Sequence, residues 1–189
     1  MNLLPAALTL LVTVATACSR SPSPPVGDGS TPQPEVPIRD AGAPLQTDSM
    51  HYQLAASGSG PARFALVFTY ANTGPDTVYQ LDCSRWLNPV LQRRDSVGWV
   101  GAYSIVYPPC LNVLALPPGG LRQDTLPVCR PTSSTESSCA PWSVPGIDGI
   151  YRLKLYGVVL HYDSRTGRGG DTLPEARRIS NSFLITSLK

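Results

Sequence analysis

Large apolar side chains recur at every second position in several short stretches of this chain, and Gly, Pro, Asn and Asp interrupt them repeatedly. Side chains on a strand alternate between its two faces, so this rhythm predicts strands and turns rather than helices. The clearest stretch is residues 62–72, which sets Phe64, Leu66, Phe68 and Tyr70 on one face and Ala65, Val67, Thr69 and Ala71 on the other. Asn72-Thr73-Gly74-Pro75-Asp76 follows as a turn, because glycine accepts a positive φ and proline presets a turn dihedral. Residues 77–81 form the returning strand. Residues 90–93 and 99–103 flank the polar stretch 94–98 as a hairpin, and Leu116-Pro117-Pro118-Gly119-Gly120 turns the chain into a strand over 121–128. Residues 149–156 carry Ile150, Arg152, Lys154 and Tyr156 on one face and Tyr151, Leu153 and Leu155 on the other. Residues 178–187 are placed opposite them, with Ile179, Phe183 and Ile185 turned inward. Residues 158–162 either continue the strand before them or begin another. About 7–9 such strands make an all-β, antiparallel two-layer sandwich.

The ends of the chain read differently. Residues 1–17 are apolar from Leu3 onward and end in Ala15-Thr16-Ala17 directly before Cys18, the pattern of a signal peptide for export. No Lys or Arg precedes the apolar core, so the α-amino group alone supplies its positive charge. Two processing routes fit: Ala15-Thr16-Ala17 is an A-x-A cleavage site, and Ala15-Thr16-Ala17-Cys18 resembles a bacterial lipoprotein box. Cysteine arithmetic favours the second. The chain holds Cys18, Cys83, Cys110, Cys129 and Cys139. Lipidation of Cys18 (diacylglycerol and an acyl chain such as palmitate) leaves an even four for disulfides in an oxidising envelope. Residues 18–45 then form a lipid-anchored linker with seven prolines between positions 19 and 44, too poor in large apolar groups to offset its ordering entropy. The folded domain is expected over 46–189.

Charge narrows the choice of partner. Fifteen Lys+Arg against 13 Asp+Glu give a net charge of +2, far from the electrostatic footprint of a nucleic-acid binder. Of the three connectivities open to four cysteines, Cys83–Cys110 with Cys129–Cys139 is favoured, because each bridge closes a loop that lacks a core of its own. No two cysteines stand in C-x2-C spacing, so zinc is not expected. His51 and His161 lie in strand-like stretches beside Tyr52 and Tyr162 and read as surface or packed residues. The chain shows no G-x-S-x-G elbow, no H-E-x-x-H and no phosphate loop, so no catalytic residue or cofactor is assigned. Residues 163–171 look superficially like a calcium loop but carry Arg165 and Arg168, which repel a cation, and read as a long flexible hairpin connection. Those two arginines, with Arg177 and Arg178 nearby in sequence, are a possible anion site. Trp86, Trp99, Tyr103, Tyr107 and Trp142 are the aromatic candidates for a binding face; Trp86 and Trp142 lie in loops flanking cysteines, where an exposed indole calls for a partner unless it packs on a disulfide.

The order of strand, Asn72-Thr73-Gly74 turn, hairpin, Leu-Pro-Pro-Gly-Gly turn, Gly149-Ile150-Tyr151-Arg152 and a closing Ser-Asn-Ser-Phe strand resembles bacterial immunoglobulin-like domains, and is distantly similar to the intracellular proteinase inhibitor (BsuPI-like) family. The resemblance covers about residues 48–188 and implies an immunoglobulin-like β-sandwich in which Tyr151 seats the start of its strand. By resemblance to lipoproteins of bacteria with two membranes, Ser19 implies sorting to the outer membrane, facing the periplasm or the cell surface. The expected protein is therefore a monomeric, non-enzymatic envelope lipoprotein, held to the membrane by its N-terminal lipid, whose sandwich binds an envelope protein. The alternatives are a proteinase inhibitor presenting the loop 130–138 to a protease, and a small exported enzyme.

Overall fold

The computed structural model describes residues 42–54, 62–81, 87–105, 113–130 and 140–188. Cys18, Cys83, Cys110, Cys139, Trp86, and the expected signal peptide and most of the linker lie outside the described residues. The fold is an all-β sandwich with an immunoglobulin-like arrangement of strands. One layer orders β1 (Leu45–Thr47), β3 (Ala62–Ala71) and β8 (Leu121–Arg130) as β1-β3-β8. The other orders β2 (His51–Leu54), β13 (Phe183–Ser187), β9 (Gly149–Leu155), β5 (Pro89–Arg94) and β6 (Trp99–Tyr103) as β2-β13-β9-β5-β6. A small sheet, β10-β4-β7, joins β4 (Val78–Gln80), β7 (Leu114–Leu116) and β10 (Val158–Val159).

The alternation in the sequence explains the core. Leu66, Phe68 and Tyr70 from β3 and Tyr151, Leu153 and Leu155 from β9 are all buried in one cluster between the layers. Burying each such side chain contributes about 1.5–3 kcal/mol. An aromatic contact crosses between the layers, where Tyr52 stacks on Phe64 at 5.5 Å, and within its own sheet Tyr52 meets Phe183 edge-on at 5.3 Å.

Among the described residues the ladders are antiparallel except one. β2 runs parallel to β13, from Leu184 opposite His51 to Ser187 opposite Leu54, a departure from the wholly antiparallel expectation. It arises because the first stretch of chain changes layers: β1 pairs with β3, and a few residues later β2 joins the opposite sheet. Asn181 clamps that crossover. Its Oδ1 accepts the Thr47 amide at 3.0 Å, and its Nδ2 donates to Thr47 Oγ1 at 2.9 Å. β1 begins at Leu45, which is fully buried.

At the other end, residues 158–162 begin a new strand. Gly157, with φ +65°, turns the chain out of the five-stranded sheet, and β10 pairs with β4. A Cβ at Gly157 would stand 3.1 Å from the Leu81 carbonyl, in a backbone conformation that L residues rarely adopt. Residues 163–171 are also more regular than a flexible connection. β11 (Tyr162–Asp163) and β12 (Arg168–Gly169) pair, and the Asp163 carboxylate closes their turn by accepting Arg165 N and Thr166 Oγ1, each at 2.8 Å.

Candidate functional site

The outer face of the five-stranded sheet carries an organised set of polar and aromatic side chains. Strand alternation puts it there: while Tyr151, Leu153 and Leu155 point into the core, Arg152 and Lys154 of β9 point outward. The register sets Arg152 opposite Gln92 and Lys154 opposite Val90 of β5. The Arg152 guanidinium lies 4.5 Å from the centre of the Trp99 ring, donates through Nε to Gln92 Oε1 at 2.9 Å, and reaches Glu175 Oε1 at 3.4 Å. Lys154 Nζ meets the same Glu175 oxygen at 3.0 Å and lies 5.4 Å from the Tyr156 ring centre. Gln92 Nε2 completes the set by donating to the Tyr156 hydroxyl at 3.3 Å.

Two cations here face one carboxylate, and both cationic side chains are largely covered, at 13% and 15% exposure, whereas Glu175 is 54% exposed. Burial pulls the Arg152 guanidinium below its usual value, and Glu175 opposes that pull. The hydrogen bond and charge of Lys154 in turn hold the Glu175 carboxyl below the usual carboxylate range. Glu175 sits on a 3-10 turn, Glu175–Arg177, and so reaches this face from outside the sheet. A fixed guanidinium on an indole, beside an ammonium and an exposed phenol (Tyr156, 47% exposed), can bind carboxylates and aromatic or apolar surface together.

Of the residues singled out from sequence, Trp99 joins this face, Trp86 and Tyr107 lie outside the described residues, and the others fall elsewhere. Trp142 is half-buried: its Nε1 donates to the Cys129 carbonyl at 2.8 Å, and its ring packs 5.2 Å from that of Tyr103 and edge-on at 6.1 Å to that of Tyr151. It closes the end of the core, and one side of it lines a cleft of about 300 Å³ with Arg130 and Ile147. Cys129 is disulfide-bonded. Arg165 and Arg168 are exposed on the β11–β12 hairpin. Arg177 and Arg178 do not join them, because both serve the fold: Arg177 donates to Asn72 Oδ1 at 3.0 Å, and Arg178 to the carbonyls of Leu173 at 2.6 Å and Leu155 at 3.2 Å. His51 is exposed and shares a 2.8 Å hydrogen bond with Thr186 Oγ1. Among the described residues no three His, Cys, Asp or Glu side chains gather as a metal site.

Tyr151 makes the contact that its place at the strand start implied. Its hydroxyl donates back to the Ile147 carbonyl four residues upstream, the tyrosine corner of immunoglobulin-like sandwiches. Alternation alone assigns Arg152 and Lys154 to the outward face of β9 without marking them as a site. The arrival of Trp99 and Glu175 beside them is a product of the fold.

No family model and no curated protein matches the chain. Among solved structures it is similar to Pseudomonas fluorescens alkylpurine DNA glycosylase AlkC bound to DNA containing an abasic site analog, at 14% identity and a TM-score of 0.33. That match covers 77% of this chain and 31% of that one, so this chain spans about a third of the length of its neighbour. Similarity at this level carries no argument about activity.

Proposed function

We propose that this protein is an exported lipoprotein, anchored through Cys18 and a proline-rich tether, whose immunoglobulin-like β-sandwich binds an acidic protein partner at the bacterial envelope. The observation that carries the reading is the outer face of the five-stranded sheet, where Arg152 and Lys154 share one carboxylate and are flanked by Trp99 and Tyr156. Polar groups already held in place lose little rotamer freedom on binding, so a rigid patch of this kind binds with a smaller ordering cost than mobile surface lysines. A tether at about 3 Å per residue in polyproline II stretches would hold this face tens of ångströms from the membrane. The test is expression in a diderm host, with mass spectrometry of the membrane-bound N-terminus. Lipid on Cys18 and loss of membrane retention in Cys18→Ser are expected; an unmodified Cys18 in the soluble fraction refutes the anchor.

The second reading is proteinase inhibition. The disulfide at Cys129, directly before exposed Arg130 at the end of β8, favours it, since a bridge there limits the motion of the arginine beside it. Inhibition of an arginine-specific protease by the intact protein, abolished in Arg130→Ala, would establish this reading in place of the first.

A further inference from the structure

Arg152 and Lys154 point away from the core, yet few directions of approach to them are open. Trp99 and Gln92 flank the Arg152 guanidinium, Tyr156 flanks the Lys154 ammonium, and Glu175 reaches over both from outside the sheet. A single carboxylate oxygen, Glu175 Oε1, meets Arg152 Nη2 at 3.4 Å and Lys154 Nζ at 3.0 Å. Two cations that converge on one oxygen form a cradle for one carboxylate, because charge-assisted hydrogen bonds to both strengthen its hold. Glu175 already fills that cradle, so any foreign acid competes with it for the same two nitrogens.

Of the groups around the cradle, Glu175 is the one free to leave. Its side chain hydrogen-bonds to nothing else among the described residues, and the turn that carries it, Glu175–Arg177, buries no residue. The backbone on either side is anchored: Leu173 is fully buried, Arg177 bonds Asn72, and Arg178 bonds the carbonyls of Leu173 and Leu155. Rotation of one side chain therefore uncovers both cations and leaves the turn unchanged. Exposed ion pairs are individually weak, since water and salt screen them. Exchange of one carboxylate for another is then close to balanced, while Gln92, Trp99 and Tyr156 keep the two cations in place.

We infer that Glu175 is a built-in stand-in for the partner's acidic side chain, and that an incoming Asp or Glu carboxylate displaces it from Arg152 and Lys154. This rests on the reading of the outer face as the binding surface. The test is binding of a fluorescent hexaglutamate peptide to the full-length protein, read by anisotropy at low ionic strength, with each variant shown to retain its Tm. Glu175→Gln removes the competitor and is expected to tighten binding about two- to thirtyfold, the worth of two exposed ion pairs. Asp171→Asn makes the same change in net charge at an exposed acid beside Leu160 and should leave binding as it was. Arg152→Gln/Lys154→Gln should abolish binding whether or not Glu175 is present. Unchanged or weaker binding in Glu175→Gln, or equal tightening in Asp171→Asn, overturns this inference alone, provided that the Arg152→Gln/Lys154→Gln variant still loses the peptide. Equal binding by every variant, or binding by none, overturns the reading of the face as well.

Discussion

Replacing Tyr151 by Phe removes one oxygen from the centre of the domain and leaves the ring that packs there. The side chain is fully buried, and its hydroxyl donates to the Ile147 carbonyl, whose residue is 5% exposed. The variant therefore strands a buried carbonyl, at a cost of about 1–3 kcal/mol. At about 2–4 °C per kcal/mol for a domain of this size, the Tm should fall by about 2–12 °C. Burial pushes the Tyr151 phenol up from 10.0 to about 12, with Arg93 countering and Asp148 adding. The folded state thus holds this proton more tightly than the unfolded chain, so the stabilisation is complete below pH 10 and is lost as the pH climbs towards 12. Urea unfolding monitored from about pH 6 to about pH 11.5 reads both effects. The variant should be less stable by a constant amount at neutral pH and should lose less on the alkaline limb. A folded variant within about 0.5 kcal/mol of wild type at neutral pH, or an identical alkaline limb, would refute the reasoning.

Other positions give outcomes of distinct kinds. Gly157→Ala forces φ +65° on an L residue against the Leu81 carbonyl, and chemical denaturation should show a loss of about 1–3 kcal/mol. Asp124→Ala removes a buried acceptor for Leu87 N at 2.9 Å and Arg122 Nε at 3.0 Å; the expected loss is about 1.5–3 kcal/mol, and a loss unaffected by salt would agree with its burial. Glu175→Gln should flatten the acid limb of stability: the folded carboxyl lies below its ordinary 4.5, so its contribution is present above that value and lost as pH falls through the depressed one. Because Glu175 is solvent-exposed, the difference should shrink in high salt, which unfolding at two ionic strengths would reveal.

The parts of this fold that were legible in the sequence are those governed by local alternation and turn chemistry. β3 and β9 each hold a face of large apolar groups long enough to be read, and the Asn72 turn is set by a side chain that bonds Asp76 O at 2.8 Å and Gly74 N at 3.1 Å within the same few residues. β1 and β2 were harder, because three- and four-residue strands carry too few positions to show a period, and their assignment to opposite sheets depends on Asn181 far along the chain. Trp142 was ambiguous for the same reason. Nothing near it in sequence says that the Cys129 carbonyl would meet its indole N–H. The candidate site was half visible, since alternation set Arg152, Lys154 and Tyr156 together on one face of their strand. Its other half, Trp99 under the guanidinium and Glu175 between the two cations, exists only once four separate segments have packed.

The central claim is tested most directly by crosslinking the full-length, membrane-processed protein in its own envelope, comparing wild type with Arg152→Glu/Lys154→Glu and with Arg165→Ala/Arg168→Ala, each shown to retain its Tm. The account predicts one specific acidic protein captured by wild type and by the hairpin variant and lost from the charge-reversed face. Equal capture by all three, or loss only in the hairpin variant, would contradict it.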